Sequence, residues 1–257
     1  MVLTVKDVKT AFDGVVIEKG KPEIELFFII REKIRQKEVV LDKKNITPKK
    51  KKEIIELFEK NITIELIREK VQKCKKCELY RAECHTQKVP GCGSPYTPLM
   101  LIGEGPGFEE DKQGKPFVGR AGKLLDRLLE KLKICREKIY ITNVVKCRPP
   151  RNRNPLPKEV KACSELLEME ISIVNPRVII LLGSIALQYF GKKSITRERG
   201  KWFVYRDNIW VLPTYHPAFL LRKTGEALKK SKWQVWNDFN LALKRLEELK
   251  VIDSIVR

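Results

Sequence analysis

From Leu99 onward, short apolar runs alternate with longer segments in which apolar residues recur every three to four positions. The runs are LMLIG, IYITN, RVIILLG, WFVY and IWVLP. The helical period predicts helices over AGKLLDRLLEKL, PKEVKACSELLEMEISIV and SIALQYF, and a closing helix from about Ser231 to Lys250. Strands without polar alternation, separated by helices, predict an α/β fold in which a mainly parallel sheet is covered on both faces. In such sheets the ligand site lies outside the carboxyl ends of the strands. GEGPG follows the first run, TNVVKCRPP the second and LPTYHPAF a late one. These three polar segments are therefore expected to meet on one rim.

Residues 1–70 follow another pattern. EIELFFIIREKIR is apolar-periodic, LDKKNITPKKKKE is a lysine-rich joint, and EIIELFEKNITIELIREKVQ reads as amphipathic helix. This part is an N-terminal helical extension of unknown role, and residues 71–257 form the main domain.

Composition adds a partner class. The 257 residues carry a formal charge of +20, most of it beyond residue 73, and the isoelectric point is about 9.7. Such an excess favours a polyanion, nucleic acid first. Abundant Lys, Glu and Ile with scarce Gln is also a composition that thermophile proteins share. No apolar run reaches membrane-spanning length and no secretory leader is evident, so a cytoplasmic protein is expected. Seven cysteines in such a chain read as metal ligands or catalytic thiols before disulfides.

The glycine-rich turn after the first run does not fit the phosphate-binding fingerprints. A G-x-G-x-x-G pattern from Gly103 meets Phe108 at its third glycine. A P-loop ending at Gly114-Lys115 has Glu109 at its first glycine and Pro116 where Ser or Thr must stand. The turn is suited instead to close approach of a neutral, flat ligand to the backbone. The cysteines allow two ligand sets. Cys74, Cys77, Cys84 and Cys92 have the spacing of a zinc knuckle; Cys74 and Cys77 with the distant Cys147 and Cys163 would pin the N-terminal segment onto the sheet domain.

GEGPGFEEDKQGKPFVGRAG, TNVVKCRPP followed by Cys163, HPAFLLR and the CxxC ahead of them together resemble the family 4 (thermophilic, iron-sulfur) uracil-DNA glycosylases, from about Val71 to the end. The resemblance implies the three-layer α/β/α fold of that family and a 4Fe-4S cluster on Cys74, Cys77, Cys147 and Cys163. It implies a DNA base-excision repair enzyme that flips uracil from single- or double-stranded DNA and hydrolyses its glycosidic bond, leaving an abasic site. Phe117 would stack on the base. Asn143 would pair with its edge, and Gly105 would lie beside it. His216 would donate to the uracil oxygen as a neutral imidazole, and Glu104 would act on the water or the sugar cation. Glu110 would crowd the position of a thymine methyl, with Glu109 and Asp111 as solvated turn residues. Arg148, Arg151, Arg153, Arg222 and Lys223 suit phosphates, and Leu220 resembles the leucine that fills the space left by the flipped base.

Two other readings use the same residues: a non-catalytic iron-sulfur nucleic-acid-binding protein on this fold, and a zinc-knuckle binding protein. In the extension, Ile24, Phe27 and Phe28 of KPEIELFF outline a sliding-clamp-binding peptide, with Lys21 in place of its usual glutamine.

Overall fold

The computed structural model of the chain describes residues 64–82, 86–206 and 208–256. Ile24, Phe27, Phe28, Cys84 and His85 lie outside them. One compact unit spans Ile67–Arg257, and helical residues 67–73 open it. Six strands form one sheet: β1 Cys92–Gly93, β2 Leu99–Gly103, β3 Tyr140–Asn143, β4 Val178–Leu182, β5 Phe203–Tyr205 and β6 Ile209–Thr214, in the order β1-β3-β2-β4-β6-β5. The four inner strands are parallel and the two edges antiparallel. Register pairs Gly103 with Asn143 and Leu182 with Thr214, so the carboxyl ends of the inner strands finish level.

Every residue of β2, β3 and β4 is buried, because helices cover both faces. Leu99, Leu101, Ile141, Ile180 and Leu212 point into a core shared with α2 (Arg120–Lys131), α6 (Pro217–Leu220) and α7 (Gly225–Glu248). The alternate residues face α3 (Pro157–Val174), whose buried Glu170 accepts a hydrogen bond from Thr142 of β3 at 2.7 Å and one from the Gly91 N–H at 2.9 Å. The result is the three-layer α/β/α architecture, and no described helix is long and apolar enough to cross a membrane.

Two elements differ from the expected ones. α7 begins at Gly225 rather than near Ser231, because its first turns carry exposed Lys229, Lys230 and Lys232 and so show no apolar period. The acid cluster expected to be a turn forms a short helix, α1 (Phe108–Gln113), whose Glu110 carboxylate folds back to accept the Gly107 N–H at 3.1 Å. Between them, α4 (Ser184–Tyr189) and α5 (Ile195–Glu198) complete the helices.

Candidate active site at the strand ends

The carboxyl ends of all four inner strands open into one cavity of about 530 Å³, lined by Glu104 and Gly105 after β2, Asn143 at the end of β3, Gly183 after β4, and Tyr215 and His216 after β6. The three segments expected on this rim are there. The β4 end was not foreseen. Gly183 holds a φ of 95°, and a Cβ on it would lie 2.9 Å from the Cβ of His216, so only glycine lets this turn pass the imidazole. Gly103 serves the same purpose one strand over: a Cβ there would come 2.5 Å from the Phe117 ring and collide with the Asn143 amide.

Asn143 is 2% exposed, and its side-chain oxygen is buried with no hydrogen-bond partner. An orphaned buried acceptor costs about 1–3 kcal/mol, a cost that a ligand N–H can offset. Phe117 is also buried and has a φ of 55°, uncommon for a residue with a bulky side chain. Arg136 holds it in that conformation, donating to the carbonyls of Pro116 and Phe117 at 2.8 and 3.1 Å while it pairs with Asp126. Sequence reasoning did not identify Arg136, which lies in a polar stretch far from any motif. The Phe117 ring sits 5.5 Å from the His216 ring, tilted by 33°.

His216 caps α6. Its Nδ1 accepts the Ala218 N–H at 3.1 Å, which leaves Nε2 as the atom that carries the proton. Burial, with a smaller contribution from the Arg222 charge, lowers its pKa to about 4, so the imidazole is neutral at pH 7 and presents one N–H donor. Glu104 is shifted the other way: burial raises its carboxyl above the usual range and the Arg222 charge partly opposes this. Gly105 brings the backbone against Val145, whose side chain a Cβ would meet at 2.7 Å.

Several expected roles change. Glu110 lines the cavity, but its carboxylate is occupied by backbone donors: Gly107 N–H at 3.1 Å, Val118 N–H at 2.9 Å and Gly119 N–H at 2.7 Å. It fixes the loops on either side of Phe117 rather than standing free. Asp111, expected to be solvated, is 2% exposed and accepts the Thr86 N–H at 2.9 Å. Glu109 is exposed, as expected. Arg153 forms a two-pronged pair with the buried Glu159, at 2.8 and 2.7 Å, so its charge ties the loop to α3 instead of waiting for a phosphate. Arg148 lies 5.1 Å over the exposed Phe108 ring and donates to Asn152 at 2.7 Å; Arg151 and Arg222 are exposed, the latter lining the cavity. Lys223 lies 4.8 Å over the Phe219 ring. Leu220 is 5% exposed and belongs to the core, because Pro217 and Leu220, three residues apart on α6, both face inward. A wedge role for Leu220 does not fit that position; the neighbouring Leu221 is 42% exposed.

Cys74, Cys77, Cys147 and Cys163 line one small cavity on the α3 side of the sheet, together with apolar Val71 and Leu166. Burial, reinforced by Cys163, pushes the Cys147 thiol up to about 12, and burial pushes Cys163 up to about 11. Cys92, in β1, and Cys135, beside Glu137, are not among the residues lining this cavity. Between the cysteines and the strand-end cavity lies a fully buried ion pair. Lys146 donates to Glu170 at 2.6 Å, to the Thr142 hydroxyl at 2.6 Å and to the Asn143 carbonyl at 2.8 Å. Its only sequence signal is a lysine inside an apolar stretch, TNVVKC.

The family model of the uracil DNA glycosylase superfamily matches residues 90–240. A type-4 uracil-DNA glycosylase of Thermotoga maritima is 46% identical over 177 residues, covering 68% of this chain and 91% of that protein. Two others of the same designation, from Saccharolobus solfataricus and Sulfurisphaera tokodaii, are 47% and 46% identical over 62% of this chain, and cover 77% and 76% of their own lengths.

Proposed function

Because this chain belongs to the uracil DNA glycosylase superfamily, in its type-4 branch, we propose that it excises uracil from DNA by hydrolysing the glycosidic bond, the opening step of base-excision repair. The observation that carries this reading is the unpaired, buried oxygen of Asn143 at the end of β3. Uracil offers a ring N–H to that oxygen and a carbonyl to the amide N–H₂ beside it, whereas cytosine, with the opposite pattern, leaves the acceptor unmet. Phe117 supplies the flat wall against which the flipped base stacks.

In the reaction, water forms the new bond to the sugar C1′ while the C1′–N1 bond breaks and its electron pair moves onto the uracil ring. The water proton leaves to solvent or to the departing base. Nε2–H of His216 donates to the oxygen on which the negative charge collects, and because the imidazole is neutral it stabilises the anion by a hydrogen bond without giving up its proton. Glu104, as carboxylate, orients the water or stabilises the positive sugar. Arg222, exposed and lining the cavity, and the exposed Arg151 hold phosphates, and Arg148 extends that contact.

Cys74, Cys77, Cys147 and Cys163 fit a 4Fe-4S cluster. Among the described residues no three His, Cys, Asp or Glu side chains are grouped as one metal ion requires, whereas a cluster takes each cysteine on a separate iron. Val71, Leu79, Val145 and Leu166 line their cavity beside Lys76, Lys88 and Lys146, and thiols pushed up by burial become thiolates only against positive charge, which a cluster's irons would supply and these lysines add to. Held by these four cysteines, such a cluster would cross-link residues 74–77 to the sheet and to α3. Purified protein is expected to be brown, with about four irons per chain. Cys163→Ser should lose the colour and iron and melt many degrees lower; a colourless wild type that melts identically to the variant would remove the cluster from this reading.

The activity itself is tested by incubating a single strand that holds one uracil with the protein and measuring free base by chromatography, beside the same strand with thymine or cytosine at that position. Release of uracil alone is the expected result. Release of no base by protein that binds the strand would overturn the proposal.

A further inference from the structure

On the far side of α6 from the strand-end cavity, α2 and α7 leave a second depression of about 380 Å³. Leu125, Leu220 and Val235 floor it, and Trp233 and Trp236 stand at its wall, 65% and 37% exposed. The two indoles are three residues apart on α7, so they project from one face. Arg127 and Lys131 of α2 and Lys232 of α7 complete the lining, and no carboxylate is among the described residues that form it.

The charge does not stop at the groove. Arg120, Lys123, Arg127 and Lys131 recur at intervals of three to four along α2 and are all exposed, which places them as one stripe down the helix. The stripe begins where Ala121 and Phe117 line the strand-end cavity. Over its twelve residues α2 is about 18 Å long, roughly five nucleotides of strand at ~3.4 Å each. The groove and the cavity also share α6: His216 caps the end at the cavity, and Pro217 and Leu220 form part of the groove.

We propose that the α2–α7 groove is a second nucleic-acid contact, in which an unpaired base flanking the excision point stacks on Trp233 or Trp236 while phosphates follow the α2 stripe. The strand's identity as DNA rests on the proposed uracil excision; the chemistry of the groove, cations beside exposed aromatic faces, is that of a single-strand platform. An apolar protein helix would use the floor but leave the rim cations unpaired. A continuous basic path from the substrate cavity instead favours the same polyanion that the cavity takes.

The test is binding of uracil-free oligothymidylate about fifteen nucleotides long, followed by tryptophan fluorescence and by anisotropy, with a trinucleotide holding uracil at its centre assayed for excision alongside. The expected result is fluorescence quenching on binding and an affinity for the long strand about tenfold weaker in Trp233→Ala/Trp236→Ala. Excision from the short strand, too short to span both places, stays unchanged and reports an intact fold. Arg127→Glu/Lys131→Glu should weaken long-strand binding and flatten its salt dependence. Unchanged affinity in the tryptophan variant overturns the proposal. So does a shift of that variant from dimer to monomer with DNA affinity intact, which would make the groove a contact between copies. Tryptophan-dependent binding by protein that excises nothing would sink the glycosylase reading and leave this one standing.

Discussion

Replacing His216 by alanine is expected to lower single-turnover excision of uracil about a hundred- to a thousandfold, the usual cost of removing one donor aimed at developing negative charge. The side chain has two jobs, and they separate. Nδ1 caps α6 through the Ala218 N–H, and losing a cap costs about 0.5–2 kcal/mol of stability. His216→Asn can keep the cap but not the position of Nε2. The asparagine variant should therefore melt closer to wild type than the alanine variant while excising about as slowly. A rate that returned with the cap would show that His216 acts only through structure.

The pH profile separates His216 from Glu104. A histidine with its pKa lowered to about 4 is already neutral across the range from mildly acidic upward, so it contributes no titration near its ordinary 6.5. Glu104, raised by burial, takes up its proton first as the pH falls. A reaction that needs the carboxylate is at full rate well above that raised value and declines as the pH drops through it. In Glu104→Gln the acid limb should disappear along with most of the rate. An acid limb that persists unchanged in this variant would assign it to another group.

Asn143→Ala is expected to cost about a hundred- to ten-thousandfold in kcat/KM for uracil, because the base's ring N–H and one carbonyl lose their partners inside a desolvated cavity. The free protein should not suffer with it. The wild-type oxygen is already buried without a partner, so removing it relieves about 1–3 kcal/mol that offsets the lost packing. A melting temperature within a few degrees of wild type, with excision nearly abolished, is the signature of a group kept for the ligand. A large fall in melting temperature would instead make Asn143 a structural residue of the β3 end.

The strands of this fold are legible as apolar runs because they are buried on both faces, and strand-helix alternation leaves a parallel sheet as the solution. That alone places Glu104, Asn143 and His216 on one rim. Features set by packing are not legible in this way. Leu220 sits four residues past His216 in a motif that suggests a wedge, yet α6 turns it into the core. Glu110 reads as a gate against a thymine methyl and Asp111 as a solvated turn residue, but backbone N–H groups of Gly119 and Thr86 fill their oxygens. The Arg153–Glu159 pair cancels a charge that the motif offers to DNA. Gly183 and Arg136 carry no motif at all; the first matters because of what a Cβ would strike, the second because of two carbonyls contributed by another segment.

The most direct measurement is single-turnover cleavage of a labelled strand holding one uracil, treated with alkali after incubation with wild type, Asn143→Ala and His216→Ala in parallel, with a thymine strand as control. The expected result is a single break at uracil with wild type, at least a hundredfold slower with either variant, and none at thymine. Equal cleavage by all three proteins, or none by folded, iron-containing wild type, would contradict the assignment of this cavity as a uracil-excising site.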